Sequence, residues 1–419
     1  EDLGKLIENS VGSIYTKYVP NEIETDQYLS FDFNIYNKIV DVFYHDLQLA
    51  PNTKIKGRIE TDSKKFKLDF STPQIKLFDY FANDISLTIN NGNPVFNTYV
   101  VMDTLYTKYY NLSKFSLINV TQRDTLFLRS EFQGGTNNID NFDLNLFYTI
   151  DEDNKSVVGF RKSDITFKGN KWTMNENRDD LNKVAFDRKF ETFNISDMRL
   201  THFEEEIKLS GVVKGKDYKD LNLDFVDVDL IKITPRLKDL LLNGTVNGSL
   251  EILQENGYYL PKSNFDITDL EVNNFEMGDL SAKVQGNKSL TNYNVDVTLD
   301  NYYLLRLDAD GIVDIESKTM DLDVAFDEFL LDPFSKLGGE VIQDIRGLVS
   351  GNVKVFGDLE NPDFNGELLL DNAGLRIPYL NVDYSFDFDS RVKLDSQRII
   401  FDYVELHDSE NFSKAKINV

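Results

Sequence analysis

A period-two alternation of apolar and polar residues runs through almost the whole chain and constrains its fold more than any other feature. In Met320-Asp321-Leu322-Asp323-Val324-Ala325-Phe326 the apolar side chains fall on every second position. The same holds for Leu305, Leu307, Ala309, Gly311, Val313 and Ile315, and for Val382, Tyr384, Phe386 and Phe388 with Asp383, Ser385, Asp387 and Asp389 between them. Successive side chains of a strand point to opposite faces, so this pattern sets one face against something apolar and the other in water. Turn signals recur at roughly 8–12-residue intervals: Asn91-Gly92-Asn93-Pro94, Gly134-Gly135, Asn243-Gly244, Asn256-Gly257 and Asn361-Pro362. Helical patterning is confined to Leu330–Ile345, to Thr234–Leu242, where Pro235 suits a first helical turn, and more weakly to Asp2–Ser10. An all-β chain with one or two short helices follows. No Pro-, Ser- or Gly-rich linker interrupts it, and the most polar stretch, Asn175–Lys183, reads as a loop. Strand pattern without domain punctuation points to an elongated stack.

The chain repeats itself. Gly244-Thr245-Val246-Asn247-Gly248-Ser249-Leu250-Glu251-Ile252 parallels Gly347-Leu348-Val349-Ser350-Gly351-Asn352-Val353-Lys354-Val355 at an offset of 103 residues. Pro261 with Phe265 and Ile267 parallels Pro362 with Leu368 and Leu370, Leu270-Glu271-Val272 parallels Ala373-Gly374-Leu375, and Leu280, Ala282 and Val284 parallel Val382, Tyr384 and Phe386. A fainter copy runs from Ile55 to Ile89. The expected organisation is an N-terminal part of a continuous β-structure over 1–229 and two repeat units over 230–328 and 329–419, the last truncated.

Charge and composition exclude several function classes. The formal net charge of −26 argues against nucleic acid, which needs clustered Lys and Arg, and against lying flat on an anionic membrane. The absence of cysteine removes thiol catalysis and thiolate metal sites. No stretch reaches the roughly 18 apolar residues of a membrane helix. Glu1-Asp2-Leu3-Gly4-Lys5 lacks the basic-then-apolar order of a signal segment, and Lys416-Ile417-Asn418-Val419 breaks off within an alternating run, so the chain reads as a piece of something longer. The three histidines, His45, His202 and His407, are far apart in sequence and read as exposed strand or loop residues. Gly347-Leu348-Val349-Ser350-Gly351 has its serine one place late for a nucleophile elbow. Asp308-Ala309-Asp310-Gly311 lacks the remaining ligands of a calcium loop. The expectation is a protein that is not an enzyme and has no catalytic residue, metal or cofactor.

A longer signature adds a family resemblance. Asp344-Ile345-Arg346-Gly347-Leu348-Val349-Ser350-Gly351-Asn352-Val353 leads into Gly357-Asp358-Leu359-Glu360-Asn361-Pro362. Gly366-Glu367-Leu368-Leu369-Leu370 and Asn372-Ala373-Gly374-Leu375-Arg376-Ile377-Pro378-Tyr379-Leu380-Asn381-Val382-Asp383-Tyr384 follow. This run resembles the C-terminal region of the TamB family in the AsmA-like superfamily, in its Bacteroidetes and flavobacterial form. Ser130-Glu131-Phe132 with Gly134-Gly135, Asp151–Phe160 and Leu240–Leu253 resemble the same branch. The resemblance implies a β-sheet curled into an open trough, solenoid-like or taco-like, with an apolar groove. It implies a bridge anchored in the inner membrane by a helix absent from this chain, crossing the periplasm to a TamA-like outer-membrane barrel. It further implies transfer of glycerophospholipids between the two membranes, with phospholipid acyl chains in the groove. The alternative within the same resemblance is a scaffold or chaperone for outer-membrane β-barrel assembly or secretion, offering a free sheet edge. A β-solenoid hydrolase is disfavoured by the Val, Leu and Phe lining.

If the sheet curls, alternation nominates the groove lining: Val246, Leu250, Ile252, Phe265, Ile267, Val272, Leu280 and Val284 in one unit. In the next it nominates Val353, Val355, Leu368, Leu370, Leu375, Ile377, Val382, Tyr384, Phe386, Phe388, Val392 and Leu394. Read from alternation alone, these residues suit the dry core of a sandwich equally well. Gly248, Gly351 and Gly357 at strand starts would let the sheet bend.

Overall fold

The computed structural model describes residues 4–6, 8–9, 19–35, 46–63, 65–78, 80–91, 97–107, 110–122, 124–187, 189–234, 240–255, 258–289, 291–301, 306–401, 403–408 and 414–417. The alternation becomes 29 strands among these residues, and the pairings within each part of the chain are antiparallel. The chain divides into two compact units, Glu1–Phe203 and Glu204–Val419. The repeat boundaries at 230 and 329 fall inside the second.

In the first unit β1 (Tyr28–Ile35) pairs with β3 (Thr53–Glu60), β2 (Leu47–Leu49) and β3 share one edge of β4 (Phe66–Leu77), and a meander continues through β5 (Tyr80–Asn90), β6 (Asn97–Tyr106), β7 (Leu112–Gln122), β8 (Thr125–Gly134) and β9 (Asp140–Ile150). Two short strands, β10 (Ser156–Phe160) and β11 (Ser163–Phe167), share the next edge of β9. β12 (Asn170–Met174) and β13 (Lys183–Phe186) return the chain to β14 (Thr192–His202).

The second unit begins with β15 (Glu205–Lys214) and β16 (Tyr218–Asp229), followed by a single helical turn, α1 (Leu230–Ile233). Asp229 caps α1, its side chain accepting from the Ile231 N–H. β17 (Leu242–Glu255), β18 (Tyr258–Val272), β19 (Phe275–Gly286), β20 (Asn292–Asp300), β21 (Arg306–Asp314) and β22 (Thr319–Leu330) continue the meander. A 3-10 segment, Asp332–Gly338, precedes β23 (Gln343–Asp358) and β24 (Pro362–Ile377). The outer edge of β24 then divides between β25 (Val382–Phe386) and β26 (Ser390–Ser396), and β27 (Arg398–Phe401), β28 (Val404–Asp408) and β29 (Lys414–Ile417) complete the unit.

The 3-10 segment lies inside the helical stretch expected over Leu330–Ile345. Of the helix expected over Asp2–Ser10, residues 4–6 and 8–9 are helical, whereas α1 ends before the helix expected over Thr234–Leu242; residues 235–239, the turn signals within 92–96 and 256–257, and His45 lie outside the described residues.

Three strands of the second unit break the alternation in the same way. Register shifts occur between Phe225 and Val228, between Ile267 and Leu270, and between Phe326 and Phe329. In each, one acidic residue turns into the left-handed region: Asp227 (φ 50°), Asp269 (φ 52°) and Glu328 (φ 51°). A β-bulge frees one N–H from the ladder, and a side chain of the next strand takes it. The Asp227 N–H donates to Asn247 Oδ1 at 2.9 Å, that of Asp269 to Asp279 Oδ1 at 3.0 Å, and that of Glu328 to Ser350 Oγ at 2.9 Å. Ser350, the serine of the Gly-rich repeat start, is thus a structural acceptor. The apolar spacing of three (Phe225-x-x-Val228, Ile267-x-x-Leu270, Phe326-x-x-Phe329) keeps both residues on one face across the bulge.

Candidate functional site

Register assembles one apolar face across the second unit, in rungs that cross successive strands. The first rung runs Leu209, Leu223, Leu250, Ser263, Val284, Val295, Gly311, Leu322, Val355 and Phe364. The second runs Ile207, Phe225, Gly248, Phe265, Ala282, Val297, Ala309, Val324, Val353, Gly366 and Leu394. The third runs Val228, Val246, Ile267, Leu280, Leu299, Leu307, Phe326, Gly351, Leu368, Val392 and Phe401.

Burial grades steadily along these rungs. None of the first-rung side chains is buried, and Leu209 and Phe364 are 38% and 37% exposed. In the second only Val353 is buried; in the third Val228, Val246, Leu299 and Val392 are. Beyond the bulges the interior is dry, with Leu270, Met277, Phe329 and Val349 buried in one cluster. The 3-10 segment closes this end. Phe334 stacks on Phe329 at 5.7 Å, the Pro333 carbonyl accepts from Asn273 Nδ2 at 2.7 Å, and Asp332 Oδ2 accepts from the Gly347 N–H at 3.0 Å. A sandwich core would bury all three rungs alike. Here a buried end grades into an apolar face whose outermost rung has no buried side chain.

Glycine lets this face be continuous. Gly248 (φ 143°) stands between Phe225 and Phe265, whose rings meet edge-to-face with centroids 5.7 Å apart across its strand. A Cβ at Gly248 would lie 2.1 Å from the Asn264 carbonyl oxygen, so no other residue fits without moving the neighbouring strand. The opposite face is polar and charged. Lys208 pairs with Asp224 at 2.9 Å, Lys354 with Asp321 at 2.9 Å, and Arg391 with Glu367 at 3.1 Å. The hydrogen bond that Lys354 donates to Asp321 raises the pKa of its ammonium above the ordinary lysine range.

The nominated lining residues separate into groups. Leu250, Val284 and Val355 lie on the first rung; Phe265, Val353 and Leu394 on the second; Val246, Ile267, Leu280, Leu368 and Val392 on the third. Ile252, opposite Leu221 and Pro261, extends the face past the first rung. Val272 and Leu370 belong to the closed end. Leu375 pairs with Tyr384 and Ile377 with Val382, and Phe386 stacks on Phe401 of the third rung at 6.3 Å. Val246, Val272, Val353 and Val392 are buried at 4–6% exposure, so they hold the sheet together and are out of a ligand's reach. Phe388 is not in a strand: β25 ends at Phe386, and Phe388 sits in the following turn, 79% exposed.

The histidines have local partners. His202 Nδ1 lies 2.6 Å from the Lys171 carbonyl oxygen, and its ring is 5.3 Å from that of Trp172. His407 Nε2 lies 2.6 Å from Asp387 Oδ1. Asp387, Glu405 and His407 present ligand atoms within 4.8 Å of one another, the one such group among the described residues that could hold a cation. Lys416 already approaches Glu405 at 3.3 Å. Asp308 and Asp310 lie in β21, a strand and not a calcium loop. No family model, curated protein or solved structure matches this chain.

Proposed function

We propose that the open half of the apolar face in residues 204–419 receives lipid acyl chains, and that the chain is a segment of a TamB-like bridge carrying glycerophospholipids between the inner and outer membranes. The observation that carries this reading is the first rung, a mainly apolar row across ten strands, interrupted by Ser263 and Gly311, with no buried side chain. Leaving such a surface to water forgoes about 25 cal/mol per Å², and monomeric proteins rarely expose large continuous apolar patches without a use for them. A phospholipid leaving a bilayer exposes on the order of 30 methylenes at about 0.8 kcal/mol each, which forbids passage through water. An apolar face removes most of that cost and leaves the headgroup in solvent. The charged opposite face suits an aqueous compartment, read as the periplasm, with the membrane anchor and a TamA-like barrel partner supplied from outside this chain.

The second reading, a scaffold for β-barrel assembly, draws support from β1. It pairs with β3 on one side among the described residues and exposes Tyr28 (72%) and Phe33 (57%). An edge of this kind can accept an added strand.

The test is native mass spectrometry with lipid extraction on the segment purified from a bacterial periplasm. Co-purified phospholipid, several molecules per chain, is the expected result. A folded chain free of lipid would reject the conduit and leave the scaffold.

A further inference from the structure

A hollow separate from the apolar face of the second unit lies against β8 and β9 in the first unit. Phe127 and Phe147 face each other across β8 and β9, on the side that also carries Arg129, Asn145 and Asp143. The Phe147 ring lies over Gly159, where a Cβ would come within 2.5 Å of it. Segment 175–182, legible from sequence only as a polar loop, is firmly built. Asn175, 6% exposed, donates through Nδ2 to the Phe160 carbonyl at 2.8 Å and accepts the Asp179 N–H at 3.0 Å. Asn182, 1% exposed, accepts the Arg199 N–H at 2.6 Å. These bonds hold Arg178 in a left-handed turn (φ 56°) beside the two rings.

The hollow so formed has a volume of about 640 Å³, and Phe127, Phe147, Phe160, Arg161, Lys162 and Arg178 are among its walls. That size is typical of small-molecule sites. The Arg161 guanidinium sits 5.2 Å from the Phe127 ring centre. Neither Arg161 nor Arg178 forms an ion pair among the described residues, although the chain carries a net charge of −26. Lys162 approaches Glu176 at 3.9 Å, and the wall also carries the carboxylates of Asp179, whose Oδ1 accepts the Leu181 N–H at 3.0 Å, and Asp180, so the three cations of the wall exceed its carboxylates by one. Two guanidiniums without carboxylate partners beside flat apolar rings are complementary to an anion carried on a flat apolar body.

We propose that this hollow binds a small aromatic ligand bearing one anionic oxygen group, a carboxylate or a phosphate monoester, with its ring against Phe147 and its anion at Arg161 and Arg178. The site shares no residue with the apolar face of the second unit, so its failure and that of the lipid reading are separable.

Ligand-observed NMR on the purified chain tests it, with phenyl phosphate, benzoate, inorganic phosphate and benzyl alcohol as probes. Phenyl phosphate, benzoate or both bind saturably, inorganic phosphate and benzyl alcohol do not, and R161A or R178A weakens the bound probe about tenfold. Binding of one anion alone identifies its chemistry. Thr149, on β9 two residues beyond Phe147, also lines the hollow; Thr149→Trp, which fills it without removing charge, abolishes binding and serves where an arginine variant unfolds. Absence of saturable binding, equal binding of inorganic phosphate or benzyl alcohol, or unchanged affinity in the folded R161A/R178A variant overturns the proposal.

Discussion

Placing a carboxylate on the open rung separates a lipid-bearing face from an ordinary core. Val284 and Val295 are paired neighbours on the first rung and only partly buried. Asp at either position keeps much of its hydration, so the fold loses only about 1 kcal/mol, an ordinary surface-strand cost. The effect on a bound acyl chain is larger. A hydrated carboxylate denies apolar contact to the three or four nearest methylenes, about 2.5–3 kcal/mol at ~0.8 kcal/mol each. That is roughly a hundredfold in occupancy. Two controls bracket the result. Asn294→Asp, on the same strand but the polar face, leaves bound lipid unchanged. Val349→Asp, 5% exposed at the closed end, buries a charge without a partner and costs about 3 kcal/mol or more of stability. The assay is bound phospholipid by native mass spectrometry beside thermal melts. Unchanged lipid content in folded V284D and V295D would refute the reasoning. So would unfolding as severe as that of V349D, which would show a closed core.

Other consequences concern the framework. Ser350→Ala leaves the Glu328 N–H without its acceptor and costs about 1–2 kcal/mol in denaturant unfolding, while Glu328→Gly relieves the left-handed strain and gains up to about 1 kcal/mol. Phe388→Ser leaves stability and lipid content unchanged, because the side chain is 79% exposed in a turn. The Lys171 hydrogen bond holds the Asp164 carboxyl below its ordinary range. Its stabilising contribution is therefore present above the unfolded value near pH 4 and lost as pH falls through the lower folded value. D164N flattens the acid limb of a melting-temperature profile without steepening its neutral part.

The strand content was legible because alternation is a local property: Leu322, Val324 and Phe326 announce one face of β22 without reference to any other strand. The bulges were legible in principle as a spacing of three in a period-two pattern, as in Phe326-Asp327-Glu328-Phe329, but alternation read straight through hides them. Extending the same alternation past Phe386 is what misplaced Phe388 on the inner face. The difference between Val349 at the closed end and Val355 on the open rung could not be read from β23, where both sit on the same face. It depends on Phe334 and Leu331, which arrive from the segment before that strand. The hollow at Phe127 and Phe147 escaped notice for a similar reason, since its arginines come from separate segments and its loop is held by buried asparagines that look unremarkable in sequence.

Contact between acyl chains and the first rung is read out by site-specific photo-crosslinking in cells. A photoreactive side chain replaces Leu250, on the open rung, or Glu251, its exposed neighbour on the polar face. Phospholipid adducts are expected from position 250 and none from position 251. Absence of lipid adducts at 250, or equal labelling at both positions, would contradict it.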